Sequence, residues 1–204
     1  MKIERWNTPG TGDTPENTEG GILIVMPPAW GPEKLEGENE PKARGLIVSA
    51  QIDRGPVIPE CLRWLERSGL EVRELARAFS ILVWPSEPIR DAHGPQTVPR
   101  LVGEKAVLLD ECRRRRPTIL IFLSCYLYDA FRDPGLADEV RELFGSEIDK
   151  SRRFTSTRLR TEAMRLEKAL VLGLPLPSRN TTPAFVEALV KGLSPIMNGL
   201  RRKA

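Results

Sequence analysis

A carboxylate beside an arginine is the first group in this sequence that could do chemistry. Asp53 is followed by Arg54 in a short polar segment that ends in a Gly-Pro break at residues 55–56. Because a neighbouring positive charge keeps a carboxylate ionised, Asp53 could orient a water molecule and stabilise a positive charge that develops on a sugar. The same residues also fit an aspartate that only caps a turn or pairs with Arg54.

The second candidate is His93, the single histidine of the chain. It follows a strand-like segment, and Asp91 lies two residues before it. An imidazole titrates near neutrality, so His93 could donate a proton to a leaving base or to a phosphate. A solvent-exposed loop histidine without a chemical role is the alternative interpretation.

The third candidate is a turn that precedes the last helix and could contact a phosphate. The turn consists of Pro177, Ser178, Arg179 and Asn180. We expect the helix to begin with Thr182 as N-cap and Pro183 at its first position, and free N–H groups at a helix start suit a phosphate. Simple capping by Thr182 explains the same pattern.

A basic stretch supplies further candidates for contact with nucleic acid. Residues 150–168 are rich in Arg and Lys and include Arg152 and Arg153. Neutralising phosphates is the usual source of nonspecific affinity for DNA, so we predict that Arg152 and Arg153 are DNA contacts. Charge runs more often form solvated faces, and that interpretation stays open.

Four apolar segments must position these residues. Residues 22–26 form an unbroken apolar run that ends at Pro27 and Pro28, and similar runs occupy 79–84, 118–123 and 169–174. Such runs are typical of strands buried on both faces of a parallel sheet. Helical segments separate them, so the sequence predicts an α/β three-layer sandwich with a central four-stranded parallel sheet. Ligands bind at the carboxyl ends of such strands, which is where the site is expected.

Length and composition limit the class of protein. The 204 residues suit one domain, predicted over residues 21–204 after a flexible, polar segment at 1–20. A net charge of +3 does not by itself indicate nucleic-acid binding. Three scattered cysteines indicate neither a disulfide framework nor a metal cluster, and no metal or cofactor is expected. Without a long apolar run or a signal-peptide core, we expect a cytoplasmic protein with no membrane partner, and a monomer.

Two motifs resemble those of the uracil-DNA glycosylase superfamily. Residues 25–31 (Val-Met-Pro-Pro-Ala-Trp-Gly) look like its first motif, a strand followed by a Pro-Gly or Pro-Ala turn. Residues 173–180 (Gly-Leu-Pro-Leu-Pro-Ser-Arg-Asn) look like its second motif, usually written His-Pro-Ser. The resemblance covers the chain from residue 20 to residue 200 and implies that superfamily's fold, with a pocket for a base flipped out of DNA. The implied pocket residues are Met26, Pro27, Pro28, Ala29, Trp30, Ile52, Ile81 and Leu176, although Trp30 could instead anchor its loop.

The sequence departs from the superfamily where uracil would be read or released. Pro27 stands in place of a water-activating Asp or Asn, and Leu176 stands in place of the histidine that stabilises the leaving base. Ile81 falls at the Asn that reads the uracil edge, and Ile52 falls near the aromatic residue that stacks on the base. One branch of the superfamily lacks the first-motif acid and uses a later Asp, and Asp53 lies close to that position. A site changed in this way has room for a larger or differently decorated base.

The sequence therefore predicts a monofunctional DNA glycosylase that flips out a modified base, hydrolyses its N-glycosidic bond and leaves an abasic site. No lysine is obviously placed for a Schiff-base lyase step. Such an enzyme would suit bacterial defence against phages with hypermodified DNA. Two alternatives remain: a catalytically inactive DNA- or nucleotide-binding protein on the same fold, and an unrelated α/β enzyme on free nucleotides, for which no glycine-rich phosphate motif is found.

Overall fold

A computed structural model describes residues 20–27, 57–69, 79–85, 94–153, 159–176 and 181–201. The strands in these ranges are β1 (Ile22–Met26), β2 (Phe79–Val83), β3 (Ile119–Leu123), β4 (Glu147–Arg153), β5 (Glu162–Leu166) and β6 (Leu170–Leu174). The α-helices in these ranges are α1 (Val57–Arg67), α2 (Thr97–Gly103), α3 (Lys105–Arg115), α4 (Cys125–Phe131), α5 (Ala137–Phe144) and α6 (Pro183–Arg201). None of the helices within this part of the chain is both long and apolar enough to cross a membrane.

The strands form one mixed sheet in the order β2-β1-β3-β6-β5-β4. The four strands β2, β1, β3 and β6 are parallel, as the apolar runs predict. The prediction of a four-stranded parallel sheet was wrong in its extent, because β5 and β4 continue the sheet in antiparallel orientation. These two strands, here called the hairpin strands, carry many charged residues and so lack the unbroken apolar run by which the other strands were recognised.

Helices cover both faces of the sheet, which confirms the three predicted layers. On one face α1 and α6 pack together over the strands, with the ring of Trp64 edge-on to that of Phe185 at 5.9 Å between centroids. Helices α2 to α5 pack on the other face, where Phe122 of β3 lies 5.0 Å from Phe131 of α4. Every residue of β1, β3 and β6 is buried, because successive side chains enter the two apolar layers in turn.

Local signals begin and end the helices that flank the sheet. Helix α1 is followed by Gly69, whose φ of 98° is readily adopted only by glycine. Helix α6 begins at Pro183, and its Phe185 amide donates to the Thr182 hydroxyl oxygen at 3.3 Å. The predicted N-cap and first position of this helix are therefore confirmed.

The strand order brings chain segments of different origin to one edge of the sheet, here called the carboxyl edge. The carboxyl ends of the parallel strands β2, β1, β3 and β6 meet there. Since β5 runs the opposite way, its first residue, Glu162, also lies at this edge, opposite Gly173 of β6 and Arg153 of β4. The chain moves outward from β1 to β2 and returns to β3 on the other side of β1, which makes the β1–β3 boundary the topological switch point of the sheet.

Candidate functional site

Prolines end three of the parallel strands at the carboxyl edge. Pro27 follows β1 directly, Pro175 follows β6 directly, and Pro85 follows β2 after one buried residue, Trp84. The backbone amide of Trp84 donates to the carbonyl of Met26 at 3.0 Å, so β1 and β2 stay paired up to their last residues. Because proline fixes φ and donates no backbone hydrogen bond, each of these prolines restricts the backbone at the end of its strand and stops the hydrogen-bond ladder there. This gives the edge a rigid base.

The fourth parallel strand ends in a pair of hydroxyl groups rather than a proline. Ser124 follows β3, and its side chain forms a hydrogen bond with the phenol of Tyr126, which lies mostly buried in the first turn of α4. Burial raises the pKa of Tyr126 to about 12, and the hydrogen bond from Ser124 opposes this only in part. The pair is therefore neutral at physiological pH, where it can donate and accept hydrogen bonds but cannot act as an anionic base.

An ionic cluster joins α4 to the amino end of β5 at the same edge. The guanidinium of Arg160 donates two parallel hydrogen bonds to Asp129, from Nη1 to Oδ2 at 2.7 Å and from Nη2 to Oδ1 at 2.5 Å. Its Nε donates to Oε1 of Glu162 at 2.5 Å, and Arg132 approaches the other oxygen of Glu162 at 3.5 Å. These carboxylates raise the pKa of Arg160 above its ordinary value. The cluster connects residues 31 positions apart in sequence, and it fastens the hairpin strands to the parallel part of the sheet.

A thiol lies against this cluster. Cys125 donates to the backbone carbonyl of Arg160 at 3.4 Å and is partly buried. Burial raises the pKa of the Cys125 thiol above its usual value, and the positive charge of Arg160 opposes that rise. A protonated thiol is a poor nucleophile, so the raised pKa disfavours Cys125 as a nucleophile.

Several of the predicted site residues fall within the described ranges. Met26 and Pro27 lie at the switch point, and Leu176 lies two residues beyond β6 with 40% of its surface exposed. Arg152 and Arg153 are exposed on β4. Ile81 is the third residue of β2, in register with Ile24, so its backbone lies two residues before the carboxyl end of the strand.

The remaining predicted site residues lie outside the described ranges. They are Pro28, Ala29, Trp30, Ile52, Asp53, His93, Pro177, Ser178, Arg179 and Asn180. Residues 1–19 of the predicted N-terminal segment also lie outside these ranges. The chemical roles given to Asp53 and His93 therefore stay predictions.

Sequence reasoning missed the Arg160 cluster and the hairpin strands that it anchors. One signal was present: only three residues, 167–169, separate β5 from β6, and so short a connection between strands favours an antiparallel hairpin. The pairing of Arg160 with Asp129 had no such signal. Among the residues that the structure describes, no group of three or more His, Cys, Asp or Glu side chains is arranged to hold a metal ion.

No protein-family model matches this chain, and neither a curated protein nor a solved structure matches it. The resemblance to the uracil-DNA glycosylase superfamily thus stays a prediction from the motifs. Function has to be inferred from the sheet, its carboxyl edge and the charges around that edge.

Proposed function

We propose that this chain is a DNA glycosylase that hydrolyses the N-glycosidic bond of a modified base other than uracil. The observation that carries the proposal is the construction of the switch point, where residues 25–27 of the first motif end β1 and Ser124 follows the neighbouring parallel strand β3. Open α/β sheets bind their ligands at this position. The second motif leaves the sheet one strand further along, at Pro175 and Leu176.

The side chains at this edge suit a base larger or less polar than uracil. Met26 and Leu176 are apolar, and the Ser124–Tyr126 pair offers neutral hydroxyl groups. A flipped base is usually held by apolar contact with its faces and by a few hydrogen bonds to its edge. The hypermodified bases of phage DNA belong to this chemical class, and excising them would serve antiviral defence.

The water-activating group is proposed to be Asp53. Two described carboxylates at the carboxyl edge, Asp129 and Glu162, are both engaged by Arg160. The oxygens that accept these charge-assisted hydrogen bonds are less available to orient a water molecule. In the proposed reaction, Asp53 orients the water and stabilises the cationic sugar, while His93 protonates the departing base.

A catalytically inactive DNA-binding protein is the second candidate. It is favoured by the same edge chemistry, because the carboxylates at the described part of the edge are ion-paired and the Tyr126 phenol and Cys125 thiol are protonated. A protein of this kind would need the rigid edge and the arginines but not Asp53.

The test is base release from synthetic DNA. Oligonucleotides that each carry one modified base are incubated with the protein and then heated in alkali, which breaks the strand at an abasic site. We expect breaks with at least one bulky modification and none with uracil, and we expect Asp53→Ala to abolish them. Asp138→Ala is the matched control, because Asp138 is an exposed aspartate on α5 that pairs with the exposed Arg141.

The pattern of failure separates the candidates. Strands that stay intact with every modification, in the presence of salt-sensitive DNA binding, would favour the inactive binding protein. Breaks that persist in Asp53→Ala would keep the glycosylase but remove Asp53 from its mechanism.

A further inference from the structure

The described arginines differ in whether they form an ion pair with a described carboxylate. Most of them pair with a carboxylate, and those that do are Arg63, Arg100, Arg113, Arg114, Arg115, Arg132, Arg141 and Arg160. Arg152, Arg153 and Arg165, all on the hairpin strands, form no ion pair with a carboxylate of the described residues. Three arginines without an ion pair of this kind therefore lie together on the hairpin strands, where Asp149 is in register with Arg165 and Glu162 with Arg153.

Two of these three arginines line a groove, here called the hairpin groove. It lies between the hairpin strands and the second half of α6, and its lining consists of Asp149, Arg152, Ala163, Met164, Arg165, Leu170, Pro195 and Ile196. Its apolar residues form the floor of the groove, and its charged residues are the cations Arg152 and Arg165 and the anion Asp149. A groove with this lining suits an anionic ligand that also has apolar surface.

One end of the groove lies close to the carboxyl edge, because Arg152 is opposite Ala163, the residue after Glu162. Arg153 lies at that edge opposite Glu162, but consecutive residues of a strand face opposite sides of the sheet, so Arg153 does not line the groove with Arg152. Arg165 lies toward the other edge of the sheet. Arg152 is opposite Ala163, two residues from Arg165, so the two arginines lie about 7 Å apart along the strands at roughly 3.3 Å per residue. Neighbouring phosphates of one extended strand are separated by a similar distance, so the two arginines suit two successive phosphates.

We propose that the hairpin groove binds the sugar-phosphate backbone of one DNA strand and leads that strand to the carboxyl edge. Arg152 and Arg165 contact phosphates, which the forked guanidinium suits, and the apolar floor packs against the sugars. This inference rests on the proposed function only in taking DNA as the ligand. It does not require Asp53 or any cleavage.

Strand β4 lies at the edge of the sheet, so the alternative to DNA binding is that it pairs with a second copy of the chain. Two features oppose it. The pairing of β4 with β5 shifts register twice, between Glu147 and Asp149 and between Asp149 and Arg152, and such irregularities disfavour further strand addition. Charged side chains on an edge strand, such as Arg152 and Arg153, have the same effect.

The experiment measures binding of an unmodified, fluorescein-labelled single-stranded oligonucleotide by anisotropy at several salt concentrations. For the double variant Arg152→Gln/Arg165→Gln we expect a loss of affinity on the order of tenfold at low salt. We also expect the slope of log affinity against log salt to fall by about 1.4, because two phosphate contacts are lost. The matched control is Arg113→Gln/Arg141→Gln, which removes the same charge from exposed, ion-paired arginines on α3 and α5 and should bind like the unaltered protein.

A variant with the opposite sign guards against misfolding as the cause. Asp149→Asn removes the one negative charge of the hairpin groove and should bind DNA more tightly, which a damaged fold cannot imitate. Asp138→Asn is its control and should leave binding unchanged. The proposal is overturned if the Arg152/Arg165 variant binds normally, or if the control pair loses as much affinity. It is also overturned if the unaltered protein does not bind the oligonucleotide, or if it is a dimer that dissociates in the Arg152/Arg165 variant.

Failure of this inference is distinguishable from failure of the proposed function. Groove-dependent binding without base release from any modified DNA would support the hairpin groove and favour the inactive binding protein. Base release that survives in the Arg152/Arg165 variant at unchanged affinity would overturn the groove and leave the glycosylase intact.

Discussion

The parallel strands and the hairpin strands share one sheet but are built on different principles. Every residue of β1, β3 and β6 is buried between two helical layers. Strand β4 is largely exposed, including Ile148 at 49%, and it carries several charged side chains. The parallel part derives its stability from apolar burial, and β5 shares in it through Ala163, Met164 and Leu166. Strand β4 is held by backbone pairing with β5, whose amino end is fixed by the Arg160 cluster.

This difference separates stability from function in the molecule. The apolar strands form a rigid frame with few groups that could recognise a ligand. Strand β4 leaves Arg152 and Arg153 exposed at one end of that frame, on the strands where DNA binding is proposed. Changes in the parallel part should thus act on folding, and changes in the hairpin strands should act on binding.

Truncating a core aromatic residue should have the largest effect on stability. Phe122 of β3 is fully buried and packs against the rings of Tyr128 and Phe131. We expect Phe122→Ala to lower the free energy of unfolding by about 3–5 kcal/mol, measured by urea denaturation. The control in the hairpin strands is the exposed Ile148. Its substitution by alanine should change the free energy of unfolding by less than about 0.5 kcal/mol. Similar losses in the free energy of unfolding at Phe122 and Ile148 would contradict this difference between the parallel strands and β4.

Removing the ionic connection should have an intermediate and local effect. Arg160→Gln leaves Glu162, which is only 7% exposed, without its closest cation. We expect a loss of about 1–3 kcal/mol, less than for a fully buried pair because Asp129 is 37% exposed. Hydrogen exchange should accelerate in β4 and β5 and stay slow in β1 and β3. Arg141→Gln, in an exposed pair, should alter neither measurement, and uniform acceleration across all strands would show that the cluster is not local.

The smallest effect is expected at the thiol where the two regions meet. Burial raises the pKa of Cys125 and Arg160 lowers it, so Arg160→Gln should raise this pKa further. The thiolate would then form at higher pH, and the rate of alkylation by iodoacetamide should rise later along a pH series. Mass spectrometry of the Cys125 peptide separates this thiol from the fully buried Cys61, whose pKa burial raises to about 12. If alkylation of Cys125 rises at the same pH or at a lower pH in Arg160→Gln, the contact between Arg160 and Cys125 is contradicted.

The parts of the fold that could be predicted from sequence are those with a local signature. The runs that became β1, β2, β3 and β6 were recognisable because a strand buried on both faces is apolar throughout. The start of α6 was recognisable because Thr182 and Pro183 act on their own helix. The strands β4 and β5 were not recognised, since their charged residues gave the stretch the appearance of a basic surface.

The candidate site was predictable only in its position. That the parallel strands end together follows from the fold class, and Met26 and Pro27 were placed at that edge on this ground. The pairing of Arg160 with Asp129 and the freedom of Arg152 and Arg165 from described carboxylates had no counterpart in the sequence. Arg160 is ion-paired and Arg152 and Arg165 are not, although all three belong to the same basic stretch, because the fold places Asp129 within reach of Arg160.

The sequence by itself determined which segments are buried, because burial is encoded residue by residue in apolar character and helix ends are encoded by nearby caps and prolines. Only the tertiary structure decided the order of the strands, the antiparallel extension and the partners of the charged groups. These depend on residues far apart in the chain that meet only after folding, and electrostatic contacts act over a few ångströms of space whatever the separation along the sequence.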